Sequence, residues 1–164
     1  MKKYILMALL AFSTLFIAKA ESGDMAIAPQ LSFATKHSTV GIGAQVQIDI
    51  NDHLRLAPYF FYYIKNKKSS AYGFDFNVHY LFPKEGSKFA YYPLAGFSYH
   101  RYKTEMIDEE GEKYDEKHDR IGANIGVGAQ YQIGDMMHLF AEERFQLLKD
   151  YYQSVTVLGV RFIF

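Results

Sequence analysis

Residues 121–133 run Ile-Gly-Ala-Asn-Ile-Gly-Val-Gly-Ala-Gln-Tyr-Gln-Ile. Ile121, Ala123, Ile125, Val127, Ala129, Tyr131 and Ile133 take one set of alternate positions. Gly122, Asn124, Gly126, Gly128, Gln130 and Gln132 take the other. Side chains of an extended chain point alternately to opposite faces, so this stretch predicts a strand with one apolar face and one small polar face. Residues 40–50 follow the same rule: Val40, Ile42, Ala44, Val46, Ile48 and Ile50 oppose Gly41, Gly43, Gln45, Gln47 and Asp49. Residues 72–82 repeat it, with Tyr72, Phe74, Phe76, Val78, Tyr80 and Phe82 against Gly73, Asp75, Asn77, His79 and Leu81.

Working outward, residues 25–35, 54–64, 89–103 and 137–148 are further strand candidates, and 154–164 is the last. That makes eight, arranged as four successive hairpins. Pro29, Pro58 and Pro93 each fall four residues into an odd-numbered strand. Proline lacks a ladder donor, so the expectation is a position at a rim or bulge. The connections alternate in length. Residues 51–53, 83–88 and 134–136 are short; at the other end lie 35–38, 65–70, 104–119 and 149–153. The longest, 104–119, carries Glu105, Asp108, Glu109, Glu110, Glu112, Asp115, Glu116 and Asp119 and is expected to be an exposed loop.

The polar face decides what surrounds the apolar one. A soluble barrel puts apolar side chains inside and a Lys- and Glu-rich face in water. In the three stretches quoted first, the polar face has no Lys or Arg, and its only acids are Asp49 and Asp75. Small residues suit the crowded interior of an eight-stranded barrel. Long apolar faces with Tyr and Phe near their ends suit a bilayer with its interfacial girdles. The fold class predicted is all-β: an eight-stranded, antiparallel, up-and-down transmembrane barrel.

The N-terminus carries an export pattern. Lys2 and Lys3 precede a largely apolar run to Ala18, and Ala18-Lys19-Ala20 is a small-x-small cleavage site. Residues 1–20 are therefore expected to be a signal peptide, removed to leave a 21–164 barrel domain. Losing Lys2, Lys3 and Lys19 leaves that domain mildly acidic. The 164-residue chain has 18 basic and 18 acidic residues, which argues against a nucleic-acid partner. It has no Cys, so disulfides, thiolate metal sites and cysteine nucleophiles are excluded.

The C-terminal strand ends on Phe164, with Phe162, Val160, Leu158 and Thr156 at alternate positions before it. This resembles the terminal strand signature of bacterial outer-membrane barrels. The whole mature stretch resembles the small eight-stranded outer-membrane β-barrel family, of the porin-like OmpA/OmpX type. The resemblance implies residence in the outer membrane of a Gram-negative bacterium. It implies contact with membrane lipid and lipopolysaccharide, and an assembly signal at Val160, Phe162 and Phe164 read by the barrel-assembly machinery. The family holds anchors, adhesion and resistance proteins and a few lipid A enzymes, so it leaves the role open.

Chemistry within the chain is sparse. The six histidines (His37, His53, His79, His100, His118, His138) are scattered without metal-ligand spacing, and the acidic loop lacks a calcium-binding pattern. No metal or cofactor is expected. Asp49, Asp75, Glu142, Arg144 and Arg161 fall on inward positions and are expected to form a lumen network that plugs the interior, since buried charges need partners. Glu143 is sent outward by the same register, and a bulge or a position near the headgroups is the expected remedy. Ser98 and His100 share a face and make the alternative of an outer-leaflet lipid A-modifying enzyme, although the order is Ser-x-His and no orienting acid is identifiable. A soluble periplasmic, lipocalin-like barrel that binds an apolar ligand is the other alternative. The expected function is a structural or surface-interaction role without catalysis, with 104–119 the place for a partner.

Overall fold

The computed structural model describes residues 24–36, 38–66, 69–83, 86–107, 113–149 and 151–164. The expected signal peptide lies outside them, as do His37, Lys67, Lys68 and the tip of the acidic segment, 108–112. The strands are β1 (Met25–Ala34), β2 (Thr39–Asp49), β3 (Leu54–Asn66), β4 (Ser69–Tyr80), β5 (Phe89–Ile107), β6 (Lys113–Gly134), β7 (Met137–Leu148) and β8 (Tyr151–Ile163). A two-residue piece, Phe82–Pro83, resumes the line of β4 and pairs Phe82 with Tyr91 and Pro83 with Ala90 of β5. Each strand pairs antiparallel with its neighbour in sequence, and β1 pairs with β8, so the eight-stranded sheet closes on itself without an edge below the rims.

Closure is staggered. From Met25, the paired positions run through Ile48, Leu56, Val78, Ala95, Ile125, Phe145 and Ser154. Ser154 then bonds Thr35, not Met25. This displacement along β1 tilts the strands and sets the bore, which for eight strands is just wide enough for side chains. At the end that holds both termini, Asn51 Oδ1 accepts the backbone N–H groups of His53 and Leu54 at 2.9 Å each, which fixes the tight β2–β3 turn.

Alternation holds throughout, and its polarity is inverted relative to a water-soluble barrel. Val127 and Leu158 are 62% and 60% exposed on the outer wall, whereas Arg144 and Asp75 are 0% exposed inside. A continuous apolar outer wall around an ionic core has no soluble counterpart, because its exposed patch far exceeds the few hundred Å² of ordinary monomers. This polarity is the reverse of the soluble lipocalin-like alternative.

Three expectations change. Residues 104–119 do not form a simple loop: Thr104 pairs with Glu116 and the β5–β6 ladder continues to Ile107 and Lys113, making a ribbon that outruns its neighbours. β4 ends its pairing at Ser69 and β7 at Leu148, so among the described residues no strand pairs with the ribbon above those levels. Charge content hid an extended conformation that cross-strand backbone bonds supply regardless of side chain. The prolines are not at the rim. Each sits inside its strand, and one ladder skips there: β1–β8 between Ile27 and Gln30, β2–β3 between Leu56 and Tyr59, and the β5 pairing between Tyr91 and Leu94. The missing N–H breaks one side and leaves the other intact. Glu143 needs no bulge: it pairs in register with Val127 and Thr156 in mid-strand, and the hydroxyls of Ser154 and Thr156 donate to its carboxylate, Thr156 at 2.7 Å.

Gly128 faces inward against the Tyr92 ring, and a Cβ there would overlap that ring's edge. Gly128→Val is expected to push Tyr92 away and to destabilise the barrel by about 1–3 kcal/mol, as overpacking does. Because the chain lacks Trp, a lower midpoint of urea unfolding followed by far-UV circular dichroism is the measurement.

Candidate functional site

The inward faces of β2, β3, β4, β5 and β7 converge on Arg144, which enters from the middle of β7. Its Nε donates to Glu142 Oε2 at 2.8 Å, and its Nη2 donates to the same oxygen. Its Nη1 lies 3.7 Å from Asp75 Oδ2, and the guanidinium sits over the Tyr59 ring at 5.0 Å. Glu142 accepts from Tyr92 Oη at 2.9 Å and from Gln45 Nε2 at 3.4 Å. Gln45 Nε2 also donates to Gln30 at 2.7 Å, and Gln47 Nε2 donates to Gln45 at 2.9 Å. Asp75 accepts from Ser98 Oγ and from Gln146 Nε2, the latter at 3.2 Å. His79 stacks on Tyr92 with ring centres 4.7 Å apart.

Asp49 and Arg161 belong to a second cluster nearer the termini. Arg55 Nε donates to Asp49 Oδ1 at 2.5 Å, and Arg161 Nη2 donates to Asp49 Oδ2. Arg55 continues to Gln130 at 2.8 Å, and Arg161 Nη1 lies 3.3 Å from His138 Nδ1. The five predicted residues therefore form two clusters, Asp75–Glu142–Arg144 in the centre and Asp49–Arg161 below. Arg55, Tyr92, Gln45 and His79 were missed. Arg55 follows a turn on a strand whose inward face is otherwise Ala57, Tyr59, Phe61 and Tyr63, so no polar alternation flagged it. Phase counted from the next inward position, Ala57, is the signal that would have found it.

Toward the far end the interior turns aromatic. Phe61 lies 5.2 Å from Tyr59 and 5.1 Å from Tyr63, and its ring is 4.6 Å from that of His100. With Ala34, Ala71 and Val155 they make an apolar stopper, and Tyr102 packs on it. The interior is thus not polar throughout: rings from β3 join the polar groups towards the far end.

Ser98 and His100 do meet, with Oγ 2.8 Å from Nε2, and Asp75 supplies the acid that the sequence left unidentified. Their connectivity is not that of a catalytic triad, where the acid orients the imidazole through its other nitrogen. Here Asp75 accepts a hydrogen bond from Ser98 Oγ and lies 3.6 Å from His100 Nε2, while His100 Nδ1 faces Tyr102 Oη at 3.3 Å. Ser98, His100 and Asp75 are each 0% exposed, beneath Phe61 and Tyr63. The serine lies within a hydrogen-bonded group that is closed to solvent among the described residues. Among the described residues no group of three His, Asp or Glu side chains is arranged to hold a metal ion.

On the outer wall of the ribbon, Tyr99 pairs with Ile121, the last apolar pair. The next pair outward is Arg101 with Asp119, joined by Arg101 Nε and Nη2 at 2.5 and 2.7 Å. Those hydrogen bonds hold the Asp119 carboxyl below the ordinary aspartate range. Val160, Phe162 and Phe164 lie on the outer wall of β8 beside β1, at the terminal end.

Removing one partner from the central cluster leaves the other charge buried and uncompensated. Arg144→Ala is expected to cost about 3–5 kcal/mol in urea unfolding, and Arg144→Met combined with Glu142→Leu considerably less. At the ribbon, a depressed carboxyl pKa means that the Arg101–Asp119 bond is intact above the ordinary aspartate range and is lost as pH falls through the lowered value. Carboxyl-carbon NMR is expected to show Asp119 titrating below a normal aspartate in the native chain and returning towards it in Arg101→Ala.

No family model matches this sequence, and no curated protein matches it. Solved structures do. The N-terminal β-barrel domain of Pseudomonas aeruginosa OprF superposes with a TM-score of 0.63 at 19% identity, over 87% of this chain and 100% of that one. Neisserial surface protein A (NspA) gives 0.62 at 19%, over 87% and 97%. A de novo designed transmembrane β-barrel gives 0.57 at 17%, over 88% and 98%. At such identities the likeness is one of architecture. The described chain has the fold of the small eight-stranded outer-membrane β-barrels.

Proposed function

We propose that this chain is an integral outer-membrane barrel of a Gram-negative bacterium, exported by residues 1–20, with a structural or surface-interaction role and no catalytic activity. The observation that carries this is the inverted polarity: an apolar outer wall on all eight strands around an interior of paired charges. In hydrocarbon every backbone group must be paired within the protein, and a closed barrel meets that requirement. Short connections at the termini and a long ribbon opposite support an orientation with the termini in the periplasm.

The lumen is read as a plug. Asp75, Glu142 and Arg144 tie β4 and β7 across the bore, Asp49 ties β3 to β8 through Arg55 and Arg161, and the Phe61 stopper closes the far end. Such an interior favours rigidity over conduction. Interaction falls to the far end, where the β5–β6 ribbon projects and where membrane lipid, lipopolysaccharide or a further partner would meet it. Val160, Phe162 and Phe164 are the side chains offered to the assembly machinery during insertion.

The experiment is gel mobility of the outer-membrane fraction in SDS, boiled against unboiled. A closed barrel resists SDS until heated, so a mobility shift is expected. An unshifted band, with the protein in the soluble periplasm, would overturn the proposal.

A further inference from the structure

Glu143 is exposed on the outer wall and pairs in register with Val127 of β6 and Thr156 of β8. Val127 lies between Ile121, at the upper edge of the apolar belt, and Tyr131, at its lower edge. Between those edges Glu143 is the one acidic or basic side chain on the outer wall among the described residues. The Ser154 and Thr156 hydroxyls donate to its two oxygens, Thr156 at 2.7 Å. They fix the carboxyl in place. A carboxylate has about four acceptor sites, so the others face hydrocarbon. Arg144, the next residue, is on the opposite face and is engaged by Glu142. Ionisable groups at such depth are costly, and they pair with one another or face a protein interior. The surroundings of Glu143 are small. Paired rows climb from β1 towards β8, as the staggered closure requires, and each strand leans the other way. A line through Glu143 and Thr156 parallel to the barrel axis therefore passes Ser154 above, and Ala141 and Ala129 below. Phe145 and Leu158 fall to either side of it. A shallow groove lined by Pro93, Val127, Ala129 and Ala141 ends on Glu143 and Thr156.

We propose that Glu143, Ser154 and Thr156 form the centre of a lateral interface between two copies of this chain within the membrane. The inference rests on the membrane-barrel reading and goes beyond it, because it concerns the apolar wall and not the ribbon. Depth is the first reason for a second copy. A copy inserted by the same route carries its carboxyl and hydroxyls at the same height. An unrelated partner meets Glu143 only if it too holds a polar group in mid-belt. The arrangement is the second reason. A two-fold axis along the membrane normal, passing between Glu143 and Thr156, exchanges β7 and β8 across the contact. Each Glu143 then faces the Thr156 hydroxyl of the second copy, and each Thr156 faces the second carboxyl, as an isologous interface requires. The two carboxyls stay on opposite sides of the axis. The polar groups of both chains close on one another and exclude hydrocarbon. Ser154, Ala141 and Ala129 lie along the axis, and small residues there let two walls approach closely.

The chain has no Cys, so single thiols report on single positions. Ala141→Cys places one beside the axis, and Phe76→Cys on β4 places one on the far wall. The full chain is expressed, its outer-membrane fraction is treated with a short bis-maleimide, and cross-linked dimer is measured on heated SDS gels. Ala141→Cys is expected to give about tenfold more dimer than Phe76→Cys, the size of effect that polar contacts in membranes produce. Adding Glu143→Leu is expected to lower it to the Phe76→Cys level. Leucine suits a lipid-facing position, so this variant keeps the barrel. Adding Glu143→Gln is expected to keep the dimer, since an amide both donates and accepts. Equal cross-linking at the two positions would overturn the proposal, as would indifference to Glu143→Leu. An adduct of a mass other than twice the chain would replace the second copy with a different partner and so overturn it too. Loss in Glu143→Gln as complete as in Glu143→Leu would mean that the carboxyl meets a cation and not hydroxyls, with the same consequence. The heat-dependent mobility of each variant is recorded alongside. A shift without dimer refutes the interface alone, whereas absence of any shift in wild type refutes the barrel on which it rests.

Discussion

A ring of eight strands leaves a narrow bore, so a charge that enters it needs an opposite charge among its neighbours inside. Arg144 is the case on which the rest depends. It is fully buried, and its charge is met by Glu142 on its own strand and by Asp75 on β4 across the interior. Glu142 in turn engages Tyr92 of β5 and Gln45 of β2, and Asp75 engages Ser98 and Gln146. One guanidinium therefore links strands that are not neighbours in the sheet. The inward apolar cluster of Phe61, Tyr63, Ala34, Ala71 and Val155 also joins several strands, but without the fixed geometry of a charge and its partners. In a soluble domain the core supplies the gain and the surface the solubility; here the core supplies specificity, and the surrounding solvent accepts the apolar wall.

The same constraint explains the glycines. Every large inward side chain needs a small one facing it. Tyr92 lies over Gly128, and Phe140 lies against Gly159. The Gly-rich polar face of 121–133 is thus the complement of Tyr92 and its partners, and the two patterns must change together. It also explains why the interior divides. Charged residues occupy the levels where amides and hydroxyls from several strands can reach them, and rings fill the remainder, where β3 presents Tyr59, Phe61 and Tyr63 in succession.

Much of this was legible in the sequence, and the illegible parts share a cause. Strands 40–50, 72–82 and 121–133 could be read because one face was apolar and the other was not. β3 could not be read that way, because Tyr59-Phe60-Phe61-Tyr62-Tyr63 is aromatic on both faces. Its inward phase, and with it Arg55 and the aromatic stopper, was invisible. The ribbon beyond Lys103 was hidden for the opposite reason: both of its faces are polar, so period two vanished into charge. Asp75 was placed inward, but its contact with Ser98 depends on the β4–β5 register, which no local pattern encodes. Pairing across strands is the information a single sequence holds least of.

That the fold is shared with OprF's barrel domain, with NspA and with a designed barrel, at identities below 20%, bears on where function resides. A fold shared at such identities carries no activity of its own. Whatever distinguishes this chain must lie in departures from the pattern. Inside, the Ser98–His100–Asp75 group is buried and lacks the acid-to-imidazole connectivity of a triad. On the outer wall, Glu143 departs, but Ser154 and Thr156 satisfy it. A further departure among the described residues is the ribbon, where the ladder outlasts its neighbours and, of the charged residues opposed on its outer wall, Arg101 and Asp119 join opposite signs. A purely structural extension would gain by pairing opposite charges across its strands.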